Sequence, residues 1–224
     1  MTRTTRPLLA GLALAALVAA TPALAAETSI WAVGVSGGTL GFGPELAYRF
    51  GPHLGVRANA GLFSYGTNDT YDSIAYNVDL KLNSIGGLLD WYPFGGGFRL
   101  SAGARLNNNE VRLAGTPATA VQIGPTTYTP AQVGTLTGTI TGQDLAPTLT
   151  LGYGGQLAKG FTMGVEVGAM LQGSPKLQNL QASGLLAQNP SLQTDLKAEA
   201  LAIENDASQF KIWPVLQLHV LYRF

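Results

Sequence analysis

The chain has 224 residues, of which 46% are hydrophobic and only 12% are charged, with 29 glycines and no cysteine. This composition excludes a disordered chain and a disulfide-stabilised one. The formal net charge is zero, and without Arg3 and Arg6 the chain would carry 11 basic and 13 acidic residues. Neither balance indicates a nucleic-acid-binding protein.

Residues 1–25 have the pattern of a secretory signal peptide. A basic start precedes an apolar run from Leu8 to Ala20, and Ala23-Leu24-Ala25 forms an A-x-A cleavage site. A membrane anchor would need about 20 apolar residues, and this run is shorter. We therefore expect cleavage after Ala25 and a mature domain of residues 26–224.

Beyond this segment, apolar and polar residues alternate with a period of two, and Gly, Pro and Asn interrupt the alternation. Such alternation predicts strands with one apolar and one polar face. In residues 161–172, for example, Phe161 and Met163 alternate with Thr162 and Gly164. The pattern predicts eight strands, at about 28–36, 41–50, 53–64, 75–94, 98–106, 144–158, 161–172 and 210–224.

The fourth predicted strand changes parity along its length. Even positions are apolar in residues 78–82, whereas Ile85, Leu89 and Trp91 are odd. An extra residue in one strand of a pair would produce such a shift. We therefore predict a β-bulge near Asn83-Ser84.

Short and long connections alternate along the chain. Residues 51–52, 95–97 and 159–160 form short turns, whereas 65–74, 107–143 and 173–209 form longer loops. We expect residues 107–143 to extend the fifth and sixth strands as a hairpin. Within the last loop, Leu192, Leu196, Ala200 and Ile203 have helical spacing, which predicts a short helix at 191–206 capped by Ser191, the alternative being a disordered loop.

An even number of strands with this alternation is typical of outer-membrane barrels, whose short turns face the periplasm and whose long loops face outward. Aromatic residues such as Tyr48, Trp91, Phe161 and Tyr222 cluster beside the short turns, as in an interfacial girdle. A soluble lipocalin-like barrel would have a polar outside and an apolar inside. We predict an all-β, eight-stranded antiparallel transmembrane up-and-down β-barrel with long extracellular loops, one containing a short helix.

Three motifs carry a resemblance to a known family: Asp90-Trp91-Tyr92-Pro93-Phe94, Phe98-Arg99-Leu100-Ser101-Ala102-Gly103 and Gly173-Ser174-Pro175. The mature chain resembles the small eight-stranded outer-membrane barrels of Gram-negative bacteria, the OmpA-transmembrane-domain and OmpW-like group, and within it a poorly characterised subfamily. The resemblance covers nearly all of residues 27–224. It implies a location in the outer membrane of a Gram-negative bacterium.

The end of the chain resembles the assembly signal of the same family. Gln217, Tyr222 and Phe224 match that signal, and His219 stands where Gly is usual. The resemblance implies insertion by the barrel-assembly machinery. An aromatic-tipped edge strand is also a natural template for strand addition on physical grounds.

The interior of an eight-stranded barrel is just wide enough to be filled by side chains. Buried charges need partners, so we predict an ion-pair network that plugs the lumen. The alternative is a cation-lined anion pore. The residues predicted to form this polar network are Glu45, Arg49, Arg57, Asn59, Asp90, Arg99, Arg105, Glu166, Gln217, His219 and Arg223.

The sequence offers little for catalysis. His53 and His219 are the only histidines, and both fall near the predicted periplasmic side. Lipid-modifying barrels would need a histidine near the outer leaflet. The sequence also lacks a Ser-His-acid arrangement, a metal-ligand cluster and a phosphate-binding loop. We predict no enzymatic activity, no cofactor and no bound metal.

Two functions of different class remain. The first is a structural or surface-interaction role, in which the loops at 107–143 and 173–209 contact envelope or extracellular partners. The alternative is a narrow OmpW-like channel for small, largely apolar solutes. In either case we expect a monomer that contacts outer-membrane lipid and lipopolysaccharide and binds no nucleic acid.

Overall fold

The computed structural model describes residues 31–71, 74–155 and 159–224, and the predicted signal peptide lies outside them. Within these ranges the chain is mostly β-strand. The strands are β1 (Trp31–Gly38), β2 (Gly41–Arg49), β3 (Leu54–Tyr71), β4 (Ile74–Trp91), β5 (Phe98–Asn107), β6 (Glu110–Pro117), β7 (Val121–Ile123), β8 (Thr126–Tyr128), β9 (Leu136–Thr141), β10 (Leu145–Tyr153), β11 (Gly160–Leu171), β12 (Lys176–Ala182) and β13 (Ile212–Arg223). The helices are α1 (Pro130–Val133) and α2 (Pro190–Ala207), and neither is long and apolar enough to cross a membrane.

Eight of these strands form a closed antiparallel ring. Its order is β1-β2-β3-β4-β5-β10-β11-β13, and β13 closes the ring by pairing with β1. Val35 lies opposite Val220 in this closing pair, in an unbroken register from Ala32 to Gly38. The predicted all-β, eight-stranded antiparallel barrel is therefore confirmed.

The barrel wall is apolar outside and polar inside. Leu218 on the outer face is 65% exposed, whereas its neighbours in β13, Gln217 and His219, point inward and are 3% and 2% exposed. Large apolar side chains in free contact with water would be costly, so the outer face requires an apolar surrounding such as lipid. A lipocalin-like barrel would have the opposite arrangement.

Aromatic side chains pack in pairs around the end of the barrel that carries the short turns. The rings of Trp31 and Tyr48 lie 4.5 Å apart, and those of Phe161 and Tyr222 lie 5.1 Å apart. Amphipathic aromatic rings of this kind are enriched at the boundary between a membrane and water. We refer to this end of the barrel as the turn end.

The predicted β-bulge in β4 is wrong. Strands β3 and β4 pair without interruption from Leu54 opposite Trp91 to Tyr71 opposite Ile74. The even residues of β4 face inward along the whole strand, but the polarity of the two faces inverts near residue 84. Between residue 84 and the turn end, the outer face of β4 is apolar. Between residue 84 and the opposite end of the barrel, the outer face carries Asn77 and Asp79, as expected where the wall leaves lipid and enters water.

The loop predicted at 65–74 is also wrong over most of its length, because β3 and β4 extend to Tyr71 and Ile74. Tyr and Thr favour strands, and Tyr65 and Thr67 lie opposite Leu80 and Val78 in the continued ladder. The predicted extension of the fifth and sixth strands is present as β6 and β9, which pair with each other, while β6 also pairs with β4.

These extensions form a folded cap at the end opposite the short turns, comprising residues 63–82, 110–141 and 176–207. Its sheet contains the upper parts of β3 and β4 together with β6, β9 and β12. Helix α2 packs against this sheet, and Asn189, not Ser191, caps its start by accepting a hydrogen bond from the Ser191 backbone. The cap has a hydrophobic core of its own, formed by Ile123, Tyr128, Val133, Leu192 and Leu196.

The inversion of polarity in β4 places the edge of the lipid near residue 84, and cysteine labelling can test this placement because the chain has no native cysteine. In lipid nanodiscs, we expect a charged maleimide to label Asp79→Cys and to leave Leu89→Cys unlabelled, because lipid covers position 89. Both positions are exposed on the protein itself, so both variants should react once unfolded in urea. Rapid labelling of folded Leu89→Cys would contradict the placement.

Candidate functional site

The structure buries all eleven polar residues predicted for the lumen on the inner face of the barrel. The most exposed of them, Asn59, retains 7% of its accessible surface, and Arg49, Asp90, Arg105 and Arg223 each retain 1%. They lie in three groups, one at the centre of the barrel, one at the turn end and one near the cap.

The central group is organised around Arg57. Its guanidinium lies within ion-pair distance of three carboxylates that come from three different strands. The distances are 3.1 Å from Nε to Asp90 Oδ2, 2.5 Å from Nη1 to Glu166 Oε2 and 3.6 Å from Nη1 to Glu45 Oε1. Since a planar guanidinium presents five donors in a fixed geometry, one arginine can hold three carboxylates together.

His219 lies between two of these carboxylates. Its Nδ1 is 2.7 Å from Glu45 Oε2, and its Nε2 is 3.3 Å from Glu166 Oε2. A neutral imidazole carries a proton on only one nitrogen, so a ring with a carboxylate on each side matches the protonated form. With Arg99, whose Nη2 is 2.8 Å from Glu166 Oε2, the centre then holds three cations against three carboxylates.

Two hydroxyl groups that were not among the predicted network residues also bind carboxylates of this centre. Ser101 Oγ donates to Asp90 Oδ1 at 2.6 Å, and Thr150 Oγ1 donates to Glu166 Oε1 at 2.8 Å. Both residues lie at inward-facing positions of their strands, and the period-two alternation of those strands is the sequence signal that could have identified them. Hydrogen bonds to the remaining carboxylate oxygens are what makes a buried charge cluster tolerable.

The group at the turn end closes the barrel through Arg49. Its guanidinium donates to five backbone carbonyls in the connections β2–β3, β4–β5 and β10–β11, and it lies 3.6 Å from the centre of the Tyr92 ring. Arg223 donates to Gly155, which also accepts from Arg49. The accepting carbonyls are those of Gly51, Pro52, Gly95, Gly96 and Gly155.

Near the cap, Arg105 binds neutral partners. It donates to Asn59 Oδ1 at 2.6 Å and to Ser84 Oγ at 3.0 Å, and among the described residues no carboxylate lies within ion-pair distance of it. A recess beside Arg105 and Gln217 is too small to admit a water molecule. Next to it, toward the cap, lies an apolar layer whose buried side chains occupy this level of the lumen: Leu40, Ala146, Met170 and Val215.

The three residues predicted as an assembly signal lie in β13 and directly after its end. Gln217 points into the lumen, whereas Tyr222 and Phe224 lie outside and are 45% and 49% exposed. The backbone nitrogen of Phe224 donates to Trp31, next to the point where the ring closes. His219, at the position where glycine is usual, contributes its ring to the central ion cluster.

The histidines do not meet in one site. His53 lies at the turn end with its Nδ1 2.9 Å from the Tyr92 carbonyl oxygen, whereas His219 lies at the centre of the lumen. Within residues 31–71, 74–155 and 159–224, no group of three or more histidine, aspartate or glutamate side chains is placed to hold a metal ion.

Comparison with known proteins gives matches in structure but not in sequence. No protein-family model and no curated protein matches the chain. The crystal structure of CarO2 from Acinetobacter baumannii matches with a TM-score of 0.58 and 21% identity, covering 89% of this chain and 100% of CarO2. The crystal structure of CarO from the same organism matches with a TM-score of 0.57 and 22% identity, covering 88% and 98%.

At this level of identity the likeness shows a shared fold that extends over nearly the whole of both chains. The narrower grouping with OmpA and OmpW remains a prediction from the sequence. The comparisons therefore place this chain, by its fold, beside the CarO barrels of Acinetobacter baumannii.

The central ion cluster should contribute strongly to the stability of the barrel. Replacing Arg57 with methionine would leave three carboxylates buried without their shared cation, which should cost about 3–5 kcal/mol in the free energy of unfolding. Urea unfolding of the refolded barrel in micelles would measure this change. The matched control is Arg112→Met, whose side chain is 61% exposed and which should change stability by less than about 0.5 kcal/mol. Equal effects of the two substitutions would contradict the role of Arg57.

Proposed function

We propose that this chain is an integral outer-membrane β-barrel of a Gram-negative bacterium, with a closed lumen and a structural or surface-interaction role that its cap performs. The observation that carries the proposal is the packed lumen inside an apolar wall. Arg57 and its three carboxylates fill the centre, Arg49 ties the turns together, and the layer at Met170 fills the cap end. A barrel closed in this way offers its outer surfaces for function and not its interior.

Placement in the outer membrane is supported by the wall and its ends. Leucine and valine side chains such as Leu149 and Val167 are 59% and 50% exposed on the outer face, and aromatic pairs surround the turn end. In barrels of this kind the short turns face the periplasm and the longer segments face outward. In this orientation the cap would lie at the cell surface, among lipopolysaccharide headgroups.

The closing strand supports assembly by the barrel-assembly machinery. Strand β13 pairs with β1 on one side and β11 on the other, so it must join the sheet on both edges when the ring closes. Tyr222 and Phe224 are exposed at its end, where the barrel-assembly machinery would bind them. A closed ring leaves no unpaired wall strand for a second copy, which supports a monomer.

The cap is the surface that would make contacts. Its own core holds the segments at 107–143 and 173–209 in a defined shape, which loops without such a core would lack. Tyr128 fixes helix α2 from within, because its hydroxyl donates to Asp195 Oδ2 at 2.7 Å. This hydrogen bond raises the pKa of Tyr128 above its ordinary value, because ionisation would remove the proton that the hydroxyl donates.

The alternative, a narrow OmpW-like channel for small, largely apolar solutes, has one observation in its favour. The cap end of the lumen is lined by Leu40, Met170 and Val215 and not by charges. An apolar solute that passed this layer would still meet the ion cluster around Arg57, and transport would require that cluster to rearrange.

Planar-bilayer recording separates the two functions. We expect the refolded protein to show no single-channel steps and no solute influx in vesicles, because side chains fill the lumen. A variant with residues 110–141 and 176–207 replaced by short turns should remain closed, since the ion cluster and not the cap blocks the barrel. Channel steps or influx of apolar solutes through the native protein would refute the closed barrel.

The same cap-deleted variant tests the surface role. Cross-linking on intact cells should yield partners with the native protein and lose them with the variant, while heat-modifiable gel mobility shows that both barrels are folded. An unchanged set of cross-linked partners would refute a contact role for the cap.

A further inference from the structure

The cap contains a partly open apolar cavity of about 320 Å³ between the sheet and helix α2. The cavity lies on the face of the cap sheet that is continuous with the inner face of the barrel wall. The opposite face of the cap sheet is continuous with the lipid-facing side of the wall. Its apolar lining comes from both the sheet and the helix and includes Ile74, Tyr76, Leu136, Leu177, Leu196 and Ile203.

A pocket of this size contrasts with the recess beside Arg105 and Gln217 in the lumen. Protein interiors are close-packed, and voids larger than a water molecule are few. The recess beside Arg105 in the lumen follows this rule, because it has no room for water. Pockets that bury small molecules have volumes of roughly 300–1,000 Å³ and are lined mostly by apolar side chains. The cap cavity lies at the lower end of that range.

One charged group lies at the wall of this cavity. Helix α2 presents Leu196, Glu199 and Ile203 to it, at spacings that put all three on one face of the helix. Glu199 Oε2 accepts a hydrogen bond from the Gly124 backbone nitrogen at 3.0 Å. Among the described residues, no hydrogen bond is made to its other oxygen, Oε1, which leaves an acceptor for a ligand.

We propose that this cavity is a binding site for a small, largely apolar molecule that carries an amine, with the apolar part between the sheet and α2 and the amine donating to Glu199. The chemistry follows from the lining: apolar walls favour a hydrocarbon or aromatic body, and a single carboxylate favours one donor. Ligand binding at this site requires only that the cap is folded. It depends neither on a closed lumen nor on the membrane in which the barrel is located.

The probe for this site is 1-aminoanthracene, an aromatic amine whose fluorescence rises in apolar surroundings. With the full chain in lipid nanodiscs, we expect a saturable component with one molecule bound per chain, in addition to the linear partition seen with empty nanodiscs. Anthracene, which lacks the amine, should bind more weakly. The absence of a saturable component in a protein whose gel mobility shows a folded barrel would overturn the proposal.

Gly115→Leu is the blocking variant. A Cβ at this position would lie 3.5 Å from the Tyr76 ring and 3.6 Å from Ile74, which are ordinary contacts, so the leucine enters the cavity without displacing backbone. We expect binding to weaken by at least about tenfold. Gln181→Leu, on the opposite face of the same sheet, is the matched control and should leave binding unchanged. Equal binding by both variants would overturn the assignment of the cavity.

Glu199→Gln tests the polar contact. The glutamine can still accept the Gly124 hydrogen bond, so the loop keeps its anchor. Binding of 1-aminoanthracene should weaken by roughly fivefold because the acceptor loses its charge, while binding of anthracene should not change. Equal losses for both compounds would refute the contact between the amine and Glu199. None of these binding measurements depends on whether the barrel conducts. They therefore test the cap site independently of the proposed closed lumen.

Discussion

One guanidinium holds the barrel interior together. Arg57 lies within ion-pair distance of carboxylates from β2, β4 and β11, strands that lie on different sides of the ring. Each carboxylate would be costly to bury alone, and the arginine would be costly without them. Arg99 and His219 lie against the same carboxylates, and with His219 protonated the central charges balance. The interior is therefore stable as a unit, and this unit blocks the barrel.

The membrane imposes a second constraint on the structure, and its effect is visible in β4. The strand keeps one register along its length, yet its polar and apolar faces exchange near residue 84. Inside lipid the apolar face must point outward, whereas in water it must point inward toward a core. The inner face of the upper wall is therefore apolar, and helix α2 covers it. The cap and its cavity are a consequence of extending barrel strands beyond the lipid.

Much of the barrel could be predicted from the sequence because period-two alternation reports which face each residue occupies. The eight strands and the inward position of Arg57, Glu166 and His219 followed from that pattern. The bulge prediction was wrong because it assumed the same surroundings along the whole strand, whereas β4 passes from lipid into water. The carbonyl partners of Arg49 and the cavity beside Glu199 depend on segments brought together only by folding, so no local pattern reveals them.

The exchange of the Arg57 Nε proton with water tests the central claim most directly. It can be followed by nuclear magnetic resonance on isotope-labelled, refolded protein, with the signal assigned by its loss in Arg57→Lys. We expect exchange at neutral pH far slower than for Arg112, whose side chain is 61% exposed, because the Arg57 Nε proton is donated to Asp90 Oδ2 inside a filled lumen. Exchange of the Arg57 proton as fast as that of Arg112 would show that water reaches the centre of the barrel, and the account of a closed lumen would be wrong.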